Sequence, residues 1–303
     1  MSWVKRTLKA WLRTLGSDRA VVERQFRRAY GRPLDLEHPV TFDEKLQWYK
    51  LYYRRWIMRD LSDKYKVRDY VAGKGLGHIL NELYGVYARP ADIPFGDLPD
   101  AFVLKANHGS GWNVICKDKR RLDARRVRRR LDRWLRTNYY HFGREWAYKH
   151  IHPLILCERY LENEEFGELI DYKFYCYGGV PEVIFVCCGR FNARGLRYDA
   201  YDMAWNRIPA YKGKPATGLD LPRPPDFETM REIARVLSEG FPFIRVDLYS
   251  VKGRIYFGEL TFYPDNGLVP FTPDAYNQFF GDFFILPEHP VDEERSAGDG
   301  RAS

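Results

Sequence analysis

The chain has 303 residues, of which 45% are hydrophobic and 16% aromatic, so it can bury the core of one large domain or two modest domains. This composition excludes a disordered chain, and no apolar run approaches the roughly 18 uncharged residues that span a membrane. The formal net charge of +8 favours anionic partners such as nucleotides, nucleic acid, acidic saccharides or an anionic membrane surface.

The cysteines indicate a reducing compartment. They are odd in number, form no C-x-x-C pair and have apolar or aromatic neighbours: Cys116, Cys157, Cys176, Cys187 and Cys188. Basic residues interrupt the apolar positions at the N-terminus, which argues against a secretory signal. We therefore expect a cytoplasmic protein.

Residues 1–40 are predicted to form a basic, amphipathic helical region. Residues 1–16 place Trp3, Trp11 and Leu15 on one helical side and lysine and arginine mostly on the other. Such a helix either packs on the domain or lies on the inner face of a membrane as a peripheral contact.

Residues 41–100 are predicted to be a second helical region. Thr41 and Glu44 have the spacing of a capping box before an apolar helical pattern. A further helix is expected over residues 60–74, with Lys64 in it, ending at the glycines that follow.

Residues 101–165 are predicted to contain a hairpin with a glycine-rich tip. Strands at 101–105 and 112–116 flank the tip, and a third strand at 151–160 carries Glu158. Between them, residues 117–136 form a very basic amphipathic helix. We expect no nucleic-acid binding, because no base-stacking aromatics are interleaved with its basic side.

Residues 166–287 are predicted to contain two hairpins. The first joins strands 172–177 and 182–188, and the second follows an irregular stretch at 189–225 and a helix at 226–239. From residue 288 to 303 the chain is expected to be disordered. The resulting class is α+β with largely antiparallel sheets.

The second hairpin carries two carboxylates. Asp247 and Glu259 are equidistant from Gly253, so a three- or five-residue loop centred on that glycine would set them directly opposite each other. Like charges at that distance need a compensating cation, and a hard ion such as Mg²⁺ fits. Arg245 and Thr261 share the same face. The alternative is a solvated face on which Arg245 pairs with one carboxylate.

Lysines also stand at strand positions. Lys105 ends the strand before the glycine tip, and Lys173 lies inside an aromatic strand. Two lysines, a flexible tip and a facing carboxylate pair suggest a polyphosphate clamp.

Several separated phrases, in order, resemble the ATP-grasp superfamily and, within it, the TupA-like family associated with teichuronopeptide and surface-polysaccharide biosynthesis. They are T-F-D-E-K at 41–45, D-K-Y at 63–65, V-L-K-A-N-H at 103–108, G-R-E-W at 143–146, D-Y-K-F at 171–174, R-V-D-L-Y at 245–249 and G-E-L-T-F-Y-P at 258–264. The resemblance implies two α+β subdomains, 101–165 and 166–287, that clamp ATP.

The resemblance also implies roles for individual residues. The nucleotide would contact Lys64, Lys105, the tip residues Gly109, Ser110 and Gly111, the acid Glu158, the hinge Arg159, Tyr160 and Leu161, and the ribose-binding acid Glu165. Arg245 and Lys173 would be catalytic, and Asp247 and Glu259 would hold one or two Mg²⁺ ions. Where the superfamily usually has Asn, this chain has Thr261, so Thr261 or Asn266 would complete the metal shell. His108, Arg144 and Glu145 are weaker candidates for substrate contact.

The implied activity is ATP-dependent amide formation through an acyl-phosphate, between a uronic-acid-containing saccharide and an amine or amino acid. Two alternatives stay open: a sugar kinase that uses the same clamp, and a non-enzymatic protein that binds anionic polymers.

Overall fold

The computed structural model describes residues 16–162, 169–189 and 195–294. Glu165 and all but the last residue of the predicted 1–16 helix therefore lie outside the described residues. The helices in the described ranges are α1 Asp18–Tyr30, α2 Phe42–Tyr52, α3 Trp56–Ser62, α4 Val67–Val71, α5 Ala124–Leu135, α6 Tyr140–Gly143, α7 Phe227–Ser238 and α8 Ala275–Phe283. In these ranges, no helix combines the length and the apolar character needed to cross a bilayer.

Strands alternate with these helices along the chain, which confirms the predicted α+β class. They are β1 Tyr53–Arg54, β2 Leu83–Tyr87, β3 Phe102–Ala106, β4 Asn113–Cys116, β5 Ile155–Arg159, β6 Asp171–Tyr177, β7 Val180–Cys188, β8 Arg197–Asp202, β9 Arg207–Ile208, β10 Tyr211–Lys212, β11 Phe243–Val251, β12 Arg254–Thr261, β13 Phe271–Thr272 and β14 Val291–Asp292.

Two antiparallel sheets organise the fold. The smaller has the order β2-β5-β3-β4, and the larger has the order β12-β11-β6-β7-β8-β9. Helix α5 covers the small sheet through the buried residues Val127 and Leu131. The predicted hairpin with the glycine-rich tip, β3–β4, lies in the smaller sheet, and the other two predicted hairpins, β6–β7 and β11–β12, lie in the larger sheet.

The two faces of the large sheet differ because side chains alternate along a strand. Phe174 faces helix α7, where its ring lies 6.0 Å from that of Phe227. On the opposite face, Tyr175 and Phe243 pack against Phe42 of helix α2. Arg245 is two residues beyond Phe243 and shares this second face, so a charged site continues directly from an aromatic core.

Helix α2 begins with the predicted capping box. Glu44 N donates to Thr41 Oγ1 at 3.4 Å, and Thr41 N donates to Glu44 Oε2 at 3.0 Å. The following predicted helix is interrupted: α3 ends at Ser62, and Lys64 lies in a turn before α4. The turn forms because the Asp63 side chain accepts a hydrogen bond from Tyr65 N at 2.8 Å.

Three further segments differ from the sequence prediction. The basic helix occupies only Ala124–Leu135, because Asp123 caps it by accepting from Arg126 N at 2.9 Å. The stretch predicted to be irregular contains strand β8, which extends the large sheet. The tail predicted to be disordered is ordered at least to residue 294, since β14 pairs in parallel with β1.

Candidate active site

A cleft of about 550 Å³ lies between the two sheets. Most of the residues predicted to form the site line it: Lys105, Ser110, Gly111, Glu145, Arg159, Tyr160, Leu161, Lys173, Arg245, Asp247, Glu259, Thr261 and Asn266. A small adjoining cavity is lined by Lys64, Lys105 and Glu158. The fold therefore brings together segments that are more than 150 residues apart in the sequence.

The two predicted carboxylates face each other, but the turn differs from the expected one. Strand β11 pairs with β12 so that Asp247 is opposite Glu259. The turn has only two residues, Lys252 and Gly253, both with positive φ (53° and 74°), as in a type I′ turn. A bulge at Gly258 supplies the extra residue that restores the register of the carboxylates.

Glycine is required at this bulge because the neighbouring chain is too close for a side chain. A Cβ at residue 258 would lie 2.9 Å from the Asp247 carbonyl oxygen. Beyond the bulge, Arg245 Nη2 lies 2.8 Å from Asp247 Oδ2 and 3.0 Å from Glu259 Oε1. One nitrogen atom thus contacts both carboxylates, so the distance between these two oxygens cannot exceed the sum of the two contacts. The carboxylates thus form one short-range pair.

Three cations surround the carboxylate pair. Arg245 contacts both acids, Lys173 Nζ pairs with Asp247, and Lys64 Nζ lies 3.7 Å from Glu259 Oε2. Burial alone would raise the pKa of Glu259, but Lys64, Arg245 and Lys173 lower it to about 2. Both Arg245 and Asp247 are buried, so the alternative of a solvated face with one ion pair is wrong.

The oxygen atoms of this pair suit Mg²⁺. Asp247 and Glu259 supply carboxylates, and Thr261 Oγ1 lies 3.0 Å from Glu259 Oε1. Mg²⁺ prefers such hard oxygen ligands and is usually held by one or two carboxylates and phosphate oxygens. Each carboxylate oxygen can accept more than one partner, so the three cations and a metal ion are compatible with the same pair.

Asn266 is already engaged by other groups. It lines the cleft, but its Oδ1 accepts a hydrogen bond from Lys50 Nζ, and the same ammonium lies 2.9 Å from its backbone oxygen. Thr261 is therefore the better-placed of the two residues predicted to complete the metal shell, because its hydroxyl already contacts Glu259.

At the other end of the cleft, Lys105 and Glu158 form an ion pair, with Nζ 2.7 Å from Oε2. Burial alone would raise the pKa of Glu158, but Lys105 keeps it below its ordinary value. The backbone groups of Arg159 are occupied: its N donates to Glu82 O, and its carbonyl oxygen accepts from Asn81 Nδ2. Tyr160 and Leu161, the other two residues of the predicted hinge, line the cleft.

The glycine tip lies beside these charges. Lys64 Nζ donates to Gly109 O at 2.8 Å, and Ser110 and Gly111 are exposed. Just before the tip, Asn107 is buried and its Nδ2 donates to Asp63 and to the His152 carbonyl oxygen, each at 2.9 Å. The tip is thus a short exposed segment on a fixed base.

The three weaker substrate candidates differ in their surroundings. His108 is buried, with Nε2 3.0 Å from the Trp134 carbonyl oxygen, which is a structural arrangement, and burial lowers its pKa. Arg144 is also buried, and its Nε lies 3.6 Å from Asp18 Oδ1. Among the three, Glu145 is the one that lines the cleft.

Of the loop at residues 264–267 the sequence patterns indicated only Asn266, and they missed Asp265 and the helix residues that hold the loop. Asp265, Asn266 and Gly267 have consecutive positive φ values of 51°, 58° and 61°. Gln47 Nε2 donates to the carbonyl oxygens of Asn266 and Gly267 at 3.0 and 2.8 Å. A lysine at an apolar position of helix α2, fully buried Lys50, was the available signal.

The family assignment agrees with this geometry. The profile described as TupA-like ATPgrasp matches residues 44–285, which is most of the chain. The chain belongs to the TupA-like ATP-grasp family, and the resemblance predicted from its motifs is confirmed. A comparison with curated proteins found no match.

Solved structures of ATP-grasp ligases are similar to the chain, at low identity. A D-alanine–D-alanine ligase from Bacillus anthracis is 14% identical with a TM-score of 0.38, and the match covers 66% of this chain and 54% of that one. The ATP-grasp ligase PsnB is 12% identical with a TM-score of 0.39, and the match covers 73% of this chain and 57% of that one. An ATP-grasp RimK domain protein from Sphaerobacter thermophilus is 10% identical with a TM-score of 0.43, and the match covers 78% of this chain and 71% of that one. The match spans little more than half the length of the first two proteins.

Proposed function

We propose that this protein is an ATP-dependent carboxylate–amine ligase that activates the carboxyl group of an acidic saccharide and transfers it to an amine. The observation that carries the proposal is the position of Arg245, whose guanidinium bridges Asp247 and Glu259 in the cleft. A cation at this place can stabilise the charge of an acyl-phosphate and of the tetrahedral intermediate that follows it.

In the proposed reaction, the nucleotide enters between the two sheets. Tyr160 and Leu161 border the adenine end, and Lys105 and Lys64 neutralise phosphate charge at the glycine tip. The tip then closes over the phosphates and excludes water from the activated intermediate. Backbone N–H groups of Ser110 and Gly111 are the exposed donors there.

The acid is proposed to bind beside Arg245 and Lys173. Its carboxylate attacks the γ-phosphate, which forms a mixed anhydride and releases ADP. Asp247 and Glu259 would hold Mg²⁺, which would supply electrostatic stabilisation of the phosphate oxygens. Arg245 and Lys173 orient the carboxylate and hold the charge that develops on it.

An acidic saccharide is the proposed acid for two reasons. The chain has a net charge of +8, which favours a polyanionic partner. The TupA-like family resembled by its motifs is associated with uronic-acid-containing surface polysaccharides. A surface-polysaccharide precursor at the inner face of the membrane is the substrate class that this combination supports.

The test is product analysis. The protein is incubated with ATP, Mg²⁺, hydroxylamine and, in turn, glucuronate, galacturonate and an oligogalacturonate. An activated carboxyl group is trapped as a hydroxamate, which is measured colorimetrically and by mass spectrometry. We expect one hydroxamate for each ADP formed. A hydroxyl phosphate ester and no hydroxamate would instead identify a kinase, and no ATP turnover with any acid would remove the ligase proposal.

A further inference from the structure

The cleft is divided by charge. Its nucleotide and metal part holds four cations, Lys64, Lys105, Lys173 and Arg245, each close to a carboxylate. Next to the loop at residues 264–267 the charged residues of the lining are the two acids Glu145 and Asp265. Phosphates and carboxylates account for the cations, but no anionic reactant needs these two acids.

Glu145 is a buried carboxylate that accepts no hydrogen bond from a described side chain, although the buried Lys50 ammonium acts on it electrostatically. Only 7% of the residue is exposed, its carboxylate accepts no hydrogen bond from the described residues, and none of their basic nitrogens lies within 4 Å. A buried ionised carboxylate is costly unless something pairs with it. Lys50 compensates this cost only in part, and the place of Glu145 in the cleft wall makes its carboxylate available to a cationic ligand that enters the cleft.

Hydrogen bonds hold the wall around Glu145 on both sides. Its carbonyl oxygen accepts from Tyr148 N at 3.1 Å, and the next residue, Trp146, is buried and donates from Nε1 to Glu294 at 2.7 Å. On the other side, Lys50 and Gln47 hold the Asn266 backbone at 2.9 and 3.0 Å. An acidic wall held in this way suits the positioning of a reactant.

From this wall we infer that Glu145 binds the ammonium group of the amine substrate, with Asp265 at the entrance, and accepts its proton. The inference rests on the proposed ligase function and names the amine as a primary alkylammonium. It places the second reactant on the side of the acyl-phosphate site that carries no phosphate-binding cation.

The proton balance of the step is complete. Glu145 takes one proton from the ammonium group, and the neutral amine forms a bond to the acyl carbon. The bond from that carbon to the phosphate oxygen then breaks, and the second proton on nitrogen leaves with the phosphate. The products are the amide, inorganic phosphate and a protonated Glu145, which returns its proton to water.

The electrostatic surroundings favour this role. Burial raises the pKa of Glu145, which makes its carboxylate a stronger base, and Lys50 opposes that rise. The charged and titratable groups that act on it come from several elements: Lys50, Tyr139, Tyr148, Arg245, Glu259, Tyr263 and Asp265. Asp265 and Glu259 raise the pKa further, so the acidic wall as a whole favours a bound cation.

Two nucleophiles separate this role from a structural one. Hydroxylamine is largely unprotonated at neutral pH and needs no base, whereas methylamine arrives as methylammonium. With the acid that gives a hydroxamate in the wild type, Glu145→Gln should lower the ratio of methylamide to hydroxamate by at least about a hundredfold. Glu145→Asp should recover part of it, and Glu162→Gln, a change of the same kind elsewhere in the cleft, should leave the ratio unchanged.

Asp265→Asn is the second variant, because this exposed residue can change without disturbing the core. It should raise the KM for methylamine several-fold and leave the KM for hydroxylamine unchanged. An unchanged ratio in folded Glu145→Gln, or a wild type that forms the hydroxamate but no methylamide, would overturn the inference alone. A wild type that forms no hydroxamate from any acid would overturn the ligase proposal and this inference with it.

Discussion

Arg245 holds Asp247 by a two-point ion pair between neighbours on the same strand. Nε lies 2.6 Å from Oδ1 and Nη2 lies 2.8 Å from Oδ2, and both residues are buried. Because the same Nη2 also reaches Glu259 at 3.0 Å, the guanidinium has one fixed orientation between the two acids. The planar shape of the Arg245 guanidinium, as well as its charge, therefore fixes how the two carboxylates are held.

Replacing the fork by a single ammonium tests that geometry. Arg245→Lys keeps the charge but loses the bidentate contact. We expect the Kd for Mg·ATP to change by no more than about threefold, while product formation falls by about a hundredfold. Calorimetry and product analysis measure the two effects. Arg254→Lys, an exposed change on the same hairpin, is the control, and an equal loss in both variants would contradict the role.

The two facing acids should differ in their importance for stability. Asp247→Asn leaves Lys173 and Arg245 buried with less compensation, whereas Glu259 is partly exposed at 28% of its side chain. We expect Asp247→Asn to cost about 3 kcal/mol of unfolding free energy and Glu259→Gln about 1 kcal/mol. Urea unfolding without nucleotide measures this, and both variants should lose Mg²⁺-dependent turnover. If Glu259→Gln lost more unfolding free energy than Asp247→Asn, Asp247 would not be the main compensating charge for Lys173 and Arg245.

Lys105 should contribute to nucleotide affinity. It pairs with Glu158 at 2.7 Å, so Lys105→Ala removes a phosphate contact and leaves a buried carboxylate without its nearest cation. We expect the Kd for ATP to rise by more than about tenfold in calorimetry. Lys214→Ala, at an exposed position, is the control, and unchanged affinity in Lys105→Ala would count heavily against the site.

Closure of the glycine tip should be limited to a few residues. Ser110 and Gly111 are exposed, whereas Asn107 is fixed by hydrogen bonds that include its N to the Leu154 carbonyl oxygen at 3.0 Å. Hydrogen exchange at Ser110 and Gly111 should slow by at least about tenfold when Mg·ADP binds. Exchange at Asn107 should be slow in both states. Equal protection of the tip with and without nucleotide would show that it does not close.

The predicted register of Asp247 and Glu259 was right although the predicted turn was wrong. Equal spacing from Gly253 requires one unpaired residue somewhere in the hairpin, and the sequence does not reveal whether it lies in the turn or in a strand. The structure places it at Gly258. Local spacing therefore predicted which side chains meet, but not how the backbone achieves it.

Glu145 was a sequence candidate, but the way helix α2 holds the loop beside it could not be predicted. Lys50 and Asn266 are 216 residues apart, and their contact depends on how helix α2 packs beside the large sheet. The contacts of Glu294 with Trp146, Lys149 and His150 were not predicted for a similar reason, because the polar segment that contains Glu294 has the composition of a disordered tail. Both depend on tertiary contacts that leave no periodic pattern.

Glu294 should stabilise the fold in a pH-dependent manner. Burial would raise its pKa, but hydrogen bonds from Lys149, Trp146 and His150 lower the pKa to about 2. The pKa is depressed in the folded state, so the stabilisation is present above the unfolded value of about 4.3 and is lost as the pH falls toward the folded value.

The comparison of wild type with Glu294→Gln tests this. We expect the wild type to be more stable by about 2 kcal/mol near neutral pH, after allowance for partial exposure. The difference should vanish as the pH approaches the folded pKa. Unfolding free energies at several pH values measure it, with exposed Glu288→Gln as the control. A difference that does not vary with pH would exclude the ionised pair as its source.

The bulge at Gly258 separates the outer end of the hairpin from its functional end. Lys252 and Gly253 form the turn, and the strand residues next to it pair in an ordinary ladder up to Leu248 and Phe257. Exchanging the Lys252–Gly253 dipeptide for another two-residue turn would leave the alignment beyond the bulge untouched. The outer end of this hairpin is therefore an attachment point for a spectroscopic label or affinity peptide, because a change in the turn does not alter the pairing of Asp247 with Glu259.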